Sequence, residues 1–123
     1  MRALVIDDSR AVRSIIREIL KGFGFDVVEA ADGREALACL REIGMVDLAL
    51  VDWHMPEMNG LDFVRAVRAL PAYDGMPLMM VTTESDMQHM ILALENGANE
   101  YVMKPFTREV LREKIELLEI NLS

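Results

Sequence analysis

The feature that most constrains this chain is a repeated alternation of short apolar runs with stretches of helical periodicity. Ala3-Leu4-Val5-Ile6 is short, partly β-branched and stopped by Asp7-Asp8-Ser9, the pattern of a buried strand. Val12, Ile15, Ile16, Ile19, Leu20 and Phe23 then recur every three or four residues, with Arg10, Arg13, Arg17 and Glu18 between them, until Gly22 and Gly24 interrupt. That spacing predicts an amphipathic helix. The pair of patterns returns with Val27-Val28 and a helix after Asp32-Gly33 carrying Ala36, Leu37, Leu40 and Ile43, closed by Gly44. It returns again with Leu48-Ala49-Leu50-Val51, stopping at Asp52, and a helix bearing Leu61, Val64, Val67 and Leu70. Leu78-Met79-Met80-Val81 precedes a helix over 87–94, and Tyr101-Val102-Met103 precedes one that starts after Thr107 and carries Val110, Leu111, Ile115 and Leu118. Strands apolar on both faces and separated by helices predict the α/β class, a parallel sheet between two helical layers.

Composition narrows the function. With 52% hydrophobic residues among 123 and a mean hydropathy of +0.17, the chain has material for a core, and residues 1–123 are expected to form one domain with no separate output domain. Thirteen Lys and Arg against 21 Asp and Glu leave a net charge of −8, which argues against binding nucleic acid or an anionic membrane. The single cysteine, Cys39, cannot close an internal disulfide, and no signal-like run follows Met1, so the expected compartment is the cytoplasm. No apolar run approaches the ~18 residues of a membrane span.

In an open doubly wound sheet, ligands bind outside the carboxyl ends of the strands. The residues at those ends are Asp7 and Asp8 after the first strand, Asp52 after the third, Thr82 after the fourth and Lys104 after the fifth. Taken singly, each has a plainer reading as a helix cap, a turn residue, a loop hydroxyl or a surface charge. Together they place three carboxylates, a hydroxyl and an ammonium on one sheet edge. Crowded carboxylates repel, and a hard divalent cation such as Mg²⁺ relieves that repulsion while leaving room for a phosphate oxygen. Lysine then offers a point charge to another phosphate oxygen, and Asp52 is a candidate nucleophile toward phosphorus. This is phosphoryl-transfer chemistry without a nucleotide loop; Gly22-Phe23-Gly24 ends a helix and is a stop.

The segments Val5-Ile6-Asp7-Asp8-Ser9, Val51-Asp52-Trp53-His54-Met55-Pro56 with Gly60, Val81-Thr82-Thr83-Glu84 and Tyr101-Val102-Met103-Lys104-Pro105-Phe106 resemble the receiver domain of two-component response regulators, of the stand-alone chemotaxis type. The resemblance covers essentially the whole chain. It implies a flavodoxin-like (βα)5 sheet in the family's strand order 2-1-3-4-5, and a phosphoacceptor, Asp52, served by a sensor histidine kinase or a histidine phosphotransfer protein. It also implies that Asp8, Asp52 and the backbone carbonyl of His54 hold Mg²⁺, with Asp7 acting through a metal-bound water. Thr82 and Lys104 would hold phosphoryl oxygens, and Pro105 would follow a cis peptide bond. On phosphorylation Thr82 moves toward the phosphate and Tyr101 turns inward, so that the fourth helix, fifth strand and fifth helix present an altered surface to a downstream protein. Self-catalysed phosphorylation and dephosphorylation are the only reactions implied, the expected state is a monomer, and the expected context is chemotaxis or motility.

Some features are this sequence's own. His54 lies two residues after Asp52 and Glu84 two after Thr82, so the pair is expected to flank the path of attacking water and set the lifetime of phospho-Asp52. Met87, Met90, Ile91, Leu92 and Leu94 are too many apolar residues for one buried stripe, and Met87, Met90, Leu94 and Tyr101 are assigned to a partner surface. From Ala69 to Met103 there are five acids and no Lys or Arg, which suits a partner with basic residues around an apolar anchor. His89 is expected on an exposed helix face and Cys39 in inert packing.

Two other functions fit these residues less well. A phosphatase passing through an aspartyl phosphate commonly needs an acid two residues after the nucleophile, where this chain has His54, and needs a cap segment to enclose its substrate. A phosphorylation-independent adaptor has no use for the intact set Asp7, Asp8, Asp52, Thr82 and Lys104.

Overall fold

The computed structural model describes residues 1–83 and 87–122. Five strands alternate with five helices: β1 (Arg2–Ile6), α1 (Arg10–Gly22), β2 (Asp26–Ala30), α2 (Gly33–Ile43), β3 (Leu48–Asp52), α3 (Gly60–Arg68), β4 (Leu78–Thr82), α4 (Met87–Glu95), β5 (Glu100–Met103) and α5 (Arg108–Leu117), with a 3₁₀ turn over Pro71–Tyr73. The strands form one parallel sheet in the order β2-β1-β3-β4-β5, the flavodoxin-like order expected from the sequence.

Side chains alternate across each strand, so the sheet divides the core in two. Leu4, Ile6, Ala49, Val51, Leu78 and Met80 pack with Ala36, Leu40, Phe63, Val64 and Ala93 of α2, α3 and α4. Ala3, Val5, Leu48, Leu50, Met79 and Val81 pack on the other face with Ile16, Leu20, Phe23, Leu111 and Ile115 of α1, α5 and the residue after α1. Helix starts are set locally. Ser9, Asp32, Asn59 and Thr107 each accept a hydrogen bond from the backbone N–H three residues on, satisfying a donor that the first helical turn would leave unpaired.

Gly60 joins the scaffold to the site. A Cβ there would stand 2.5 Å from the Asp52 carbonyl oxygen and 3.0 Å from Trp53 Cα. Only glycine lets α3 start hard against the end of β3, where Gly60 N–H donates to the Trp53 carbonyl at 2.9 Å.

Expectations about burial need correction: Leu70, counted on the α3 stripe, lies beyond the helix end at Arg68 and is exposed. Ile15, placed on the buried stripe of α1, is 61% exposed; Val12, Ile16, Ile19 and Leu20 make the core contacts, and a helical advance of about 100° per residue carries Ile15 past the stripe's edge. Val110 of α5 is likewise exposed. The strands are not all apolar on both faces: β1, β3 and β4 are buried along their length apart from Arg2, whereas the edge strands β2 and β5 are only partly covered.

Candidate functional site

The parallel order brings the carboxyl ends of β1, β3, β4 and β5 to one edge, and the polar residues that stop those strands meet there. Asp7 and Asp52 are buried at 2% and 7% exposure, Thr82 is buried, and Asp8 is exposed. One carboxylate oxygen from each of Asp7, Asp8 and Asp52 lies within 4.8 Å of the others. Lys104 Nζ donates to Asp7 Oδ2 at 2.8 Å and to Asp52 Oδ1 at 3.4 Å, and the Lys104-Pro105 peptide is cis. The Lys104 backbone N–H donates to the Thr82 carbonyl at 2.7 Å, so the chain that presents the ammonium is tied to the chain that presents the hydroxyl.

Asp7 is already committed. Its Oδ1 accepts the Ser9 N–H at 2.8 Å while Oδ2 accepts Lys104. That leaves the Asp8 and Asp52 carboxylates better placed as direct ligands and Asp7 better suited to act through water. The residues present fit Mg²⁺: all hard donors are oxygens, two acids have lone pairs to spare, and three carboxylates against one ammonium leave a double negative charge. His54 is exposed, next but one to Asp52, and Tyr101 is half-buried with Lys114 Nζ 4.3 Å over its ring. Glu84, the expected companion of His54, lies outside the described residues.

The electrostatics have a consequence for stability. Burial, followed by the neighbouring charge of Asp7, pushes the Asp52 carboxyl above its ordinary value of 3.8 despite the opposing pull of Lys104. Burial works against the Lys104 ammonium, but its bond to Asp7 and the charges of Asp52 and Asp7 outweigh it and raise its pKa. In metal-free protein the folded Asp52 keeps its proton to a higher pH than the unfolded one does. Its contribution is therefore intact below pH 3.8 and is lost as pH rises through the raised folded value. Asp52→Asn is accordingly expected to gain stability relative to wild type across that window and to stay ahead at neutral pH in chelator. Mg²⁺ should raise the wild-type Tm more than the variant's. Thermal unfolding at stepped pH, with chelator or Mg²⁺, checks this; a variant no more stable than wild type at neutral pH would contradict it.

Periodicity did not reveal two groups that touch the site. Arg13, one turn into α1, donates through Nη1 to the Asp7 carbonyl at 2.6 Å and through Nε to Glu29 Oε1 of β2 at 3.2 Å; four residues after Ser9, it reads in sequence as a solvent-side charge. His89 of α4 is half-buried, against expectation, because its ring stacks on Trp53 at 4.3 Å between centroids and 12° between planes. Cys39 is half-buried, and burial with Glu35 and Glu42 nearby pushes its thiol up. On the output side, Met87 and Leu94 are exposed at 67% and 42%, Ile91 and Leu92 are exposed as well, and Met90 is half-buried.

The chain is similar to known proteins along nearly its full length. The family model described as "Response regulator receiver domain" matches residues 3–116. A chemotaxis protein CheY homolog of Campylobacter jejuni is 48% identical over 117 residues, 94% of this chain and 90% of that protein. Chemotaxis protein CheY1 of Helicobacter pylori is 44% identical over 119 residues, 96% of each chain. Among solved structures, chemotaxis protein CheY4 of Vibrio cholerae superposes with a TM-score of 0.89 at 35% identity, covering 95% of this chain and 97% of that one.

Proposed function

The chain belongs to the response regulator receiver domain family, and from that premise we propose that it is a single-domain response regulator whose Asp52 accepts a phosphoryl group in a Mg²⁺-dependent reaction. The observation that carries the reading is the meeting of Asp7, Asp8, Asp52, Thr82 and Lys104 on one sheet edge. The donor is the phosphohistidine of a sensor kinase or histidine phosphotransfer protein. An Asp52 carboxylate oxygen attacks phosphorus, the bond from phosphorus to imidazole nitrogen breaks, and an acyl phosphate is left on Asp52. Asp8, Asp52 and the His54 carbonyl would hold Mg²⁺, with Asp7 behind them, and a cation bound there would supply positive charge to offset that of the phosphoryl oxygens. Lys104 exchanges part of its contact with Asp52 for a phosphoryl oxygen. Thr82 takes another, and Tyr101 responds on β5.

The output is a change in the face formed by α4, β5 and α5. Its exposed Met87, Ile91, Leu92 and Leu94 sit in a sequence stretch that has acids and no Lys or Arg, which suits a target with basic residues around an apolar anchor. The names of the similar proteins support a role in chemotaxis or motility. Among the described residues no helix is long and apolar enough to cross a membrane, and we place the protein in the cytoplasm as a monomer, with no substrate apart from its own phosphodonor. His54 and Glu84 set the lifetime of the acyl phosphate.

Acetyl phosphate, as a small phosphodonor, tests the reading without a kinase. One phosphoryl group per chain should be incorporated in Mg²⁺, with none in chelator. Incorporation unaffected by chelator, or repeated turnover of phosphate monoesters, would overturn the proposal.

A further inference from the structure

The two ends of α4 are held differently. At its carboxyl end Ala93 is buried, Arg65 Nε donates to Asn96 Oδ1 and Arg68 Nε to the Gly97 carbonyl, each at 3.0 Å, and Ala98 N–H returns to the Ala93 carbonyl at 2.9 Å. Toward its amino end Met87 and Ile91 are exposed, while the His89 ring lies flat on Trp53. Trp53 is not a free surface ring. It follows Asp52 in the chain, it is 7% exposed, and its backbone is pinned by its N–H to the Val81 carbonyl at 3.0 Å and by its own carbonyl to Gly60. The His89 ring meets Trp53 face to face, and its Nδ1 is buried with no hydrogen-bond partner among the described residues. A helix bolted at one end and leaning on a ring at the other can pivot when the ring contact changes.

We propose that His89 is a positioning residue whose stack on Trp53 holds the amino-terminal half of α4 against the phosphoacceptor loop, and that phosphorylation of Asp52 releases it. The inference rests on the phosphoacceptor reading above, to which it adds a route from Asp52 to α4 through the adjacent residue in the chain. The stack is a contact that one state makes and the other loses, which is what coupling between two sites requires. His54, edge-on to His89 at 6.2 Å between ring centroids, sits at the same junction.

Hydrogen exchange at the amides of residues 91–94 reads the latch directly, since local opening of α4 sets their rate. In Mg²⁺ without a phosphoryl mimic, His89→Ala should raise those rates roughly three- to tenfold, the range an aromatic stack is worth as an equilibrium factor, with amides of β1 and β3 unchanged. His89→Phe keeps a flat ring on Trp53 and should restore wild-type rates. Beryllofluoride should speed the same amides in wild type and in His89→Phe but add little in His89→Ala. Equal rates in wild type and His89→Ala, or no recovery in His89→Phe, would overturn the latch. Trp53 emission reports whether beryllofluoride binds. If emission is unmoved by it in wild type, the phosphoacceptor reading and the coupling fall together, whereas rates unmoved despite an emission change overturn the coupling alone.

Discussion

Asp52→Asn is expected to lose phosphoryl uptake by at least about a thousandfold, as removal of a nucleophile does in other covalent mechanisms. The substitution keeps size and planarity, so the packing around this nearly buried position survives. It removes the charge that attacks phosphorus and one of the two carboxylates with lone pairs to spare for Mg²⁺. Asp8→Asn should behave differently: Asp52 still attacks, but more Mg²⁺ is needed for the same uptake. Because burial and Asp7 raise the Asp52 carboxyl, loss of uptake in Asp52→Asn should come with a gain in metal-free stability. A site in which activity and stability change together in one direction would be built for structure instead. Measuring label per folded chain from acetyl phosphate separates these outcomes.

The second large effect lies at the opposite edge of the sheet. Arg68, at the end of α3, donates to the carbonyls of Tyr73, Asp74, Met76 and Gly97 and to Asn99 Oδ1, over 2.7 to 3.1 Å. It thereby clamps the connection before β4 to the turn between α4 and β5, and Asn99 Oδ1 passes the contact on to the Leu78 N–H at 2.8 Å. Burial pulls the guanidinium below its ordinary value, with Asp74 opposing, yet it remains charged at any pH where the protein folds. Arg68→Ala leaves several carbonyls without a donor and is expected to destabilise by about 3–5 kcal/mol in urea unfolding. Arg68→Lys should recover only part of this, since one ammonium cannot reach acceptors spread over a planar fork. A loss under about 1 kcal/mol would show that water replaces the clamp readily. Phosphoryl uptake per folded chain should be unchanged, because the clamp and the acidic pocket sit at opposite ends of β4.

The sequence made the architecture legible because its signals are local and consistent. Each apolar run ends at a polar residue that turns the chain, Ser9, Asp32, Asn59 and Thr107 start helices through their own side chains, and a parallel sheet sends every strand's carboxyl end to one edge. That rule alone brings Asp7, Asp8, Asp52, Thr82 and Lys104 together. What was not legible depends on contacts across elements. Periodicity gives the direction of a helical stripe but not its width, so Ile15 reads as core although it is exposed. Apolar runs do not show which strand lies at an edge, so the partial exposure of β2 and β5 is not written in them. Arg68 reads as a cation suited to a helix terminus, and nothing nearby in sequence announces acceptors up to 31 residues away. Trp53 and His89 belong to separate elements, and only the packing of α4 over the loop after β3 brings their rings together.

The most direct test of the central claim is the position of the acyl phosphate itself. Reduction of the phosphorylated protein with borohydride converts an aspartyl phosphate to homoserine, which peptide mass spectrometry can locate. The expected result is homoserine at position 52, formed only when Mg²⁺ was present during phosphorylation. Homoserine at position 7 or 8, or phosphate retained on a histidine or a hydroxyl residue, would contradict the assignment of Asp52 as the phosphoryl acceptor.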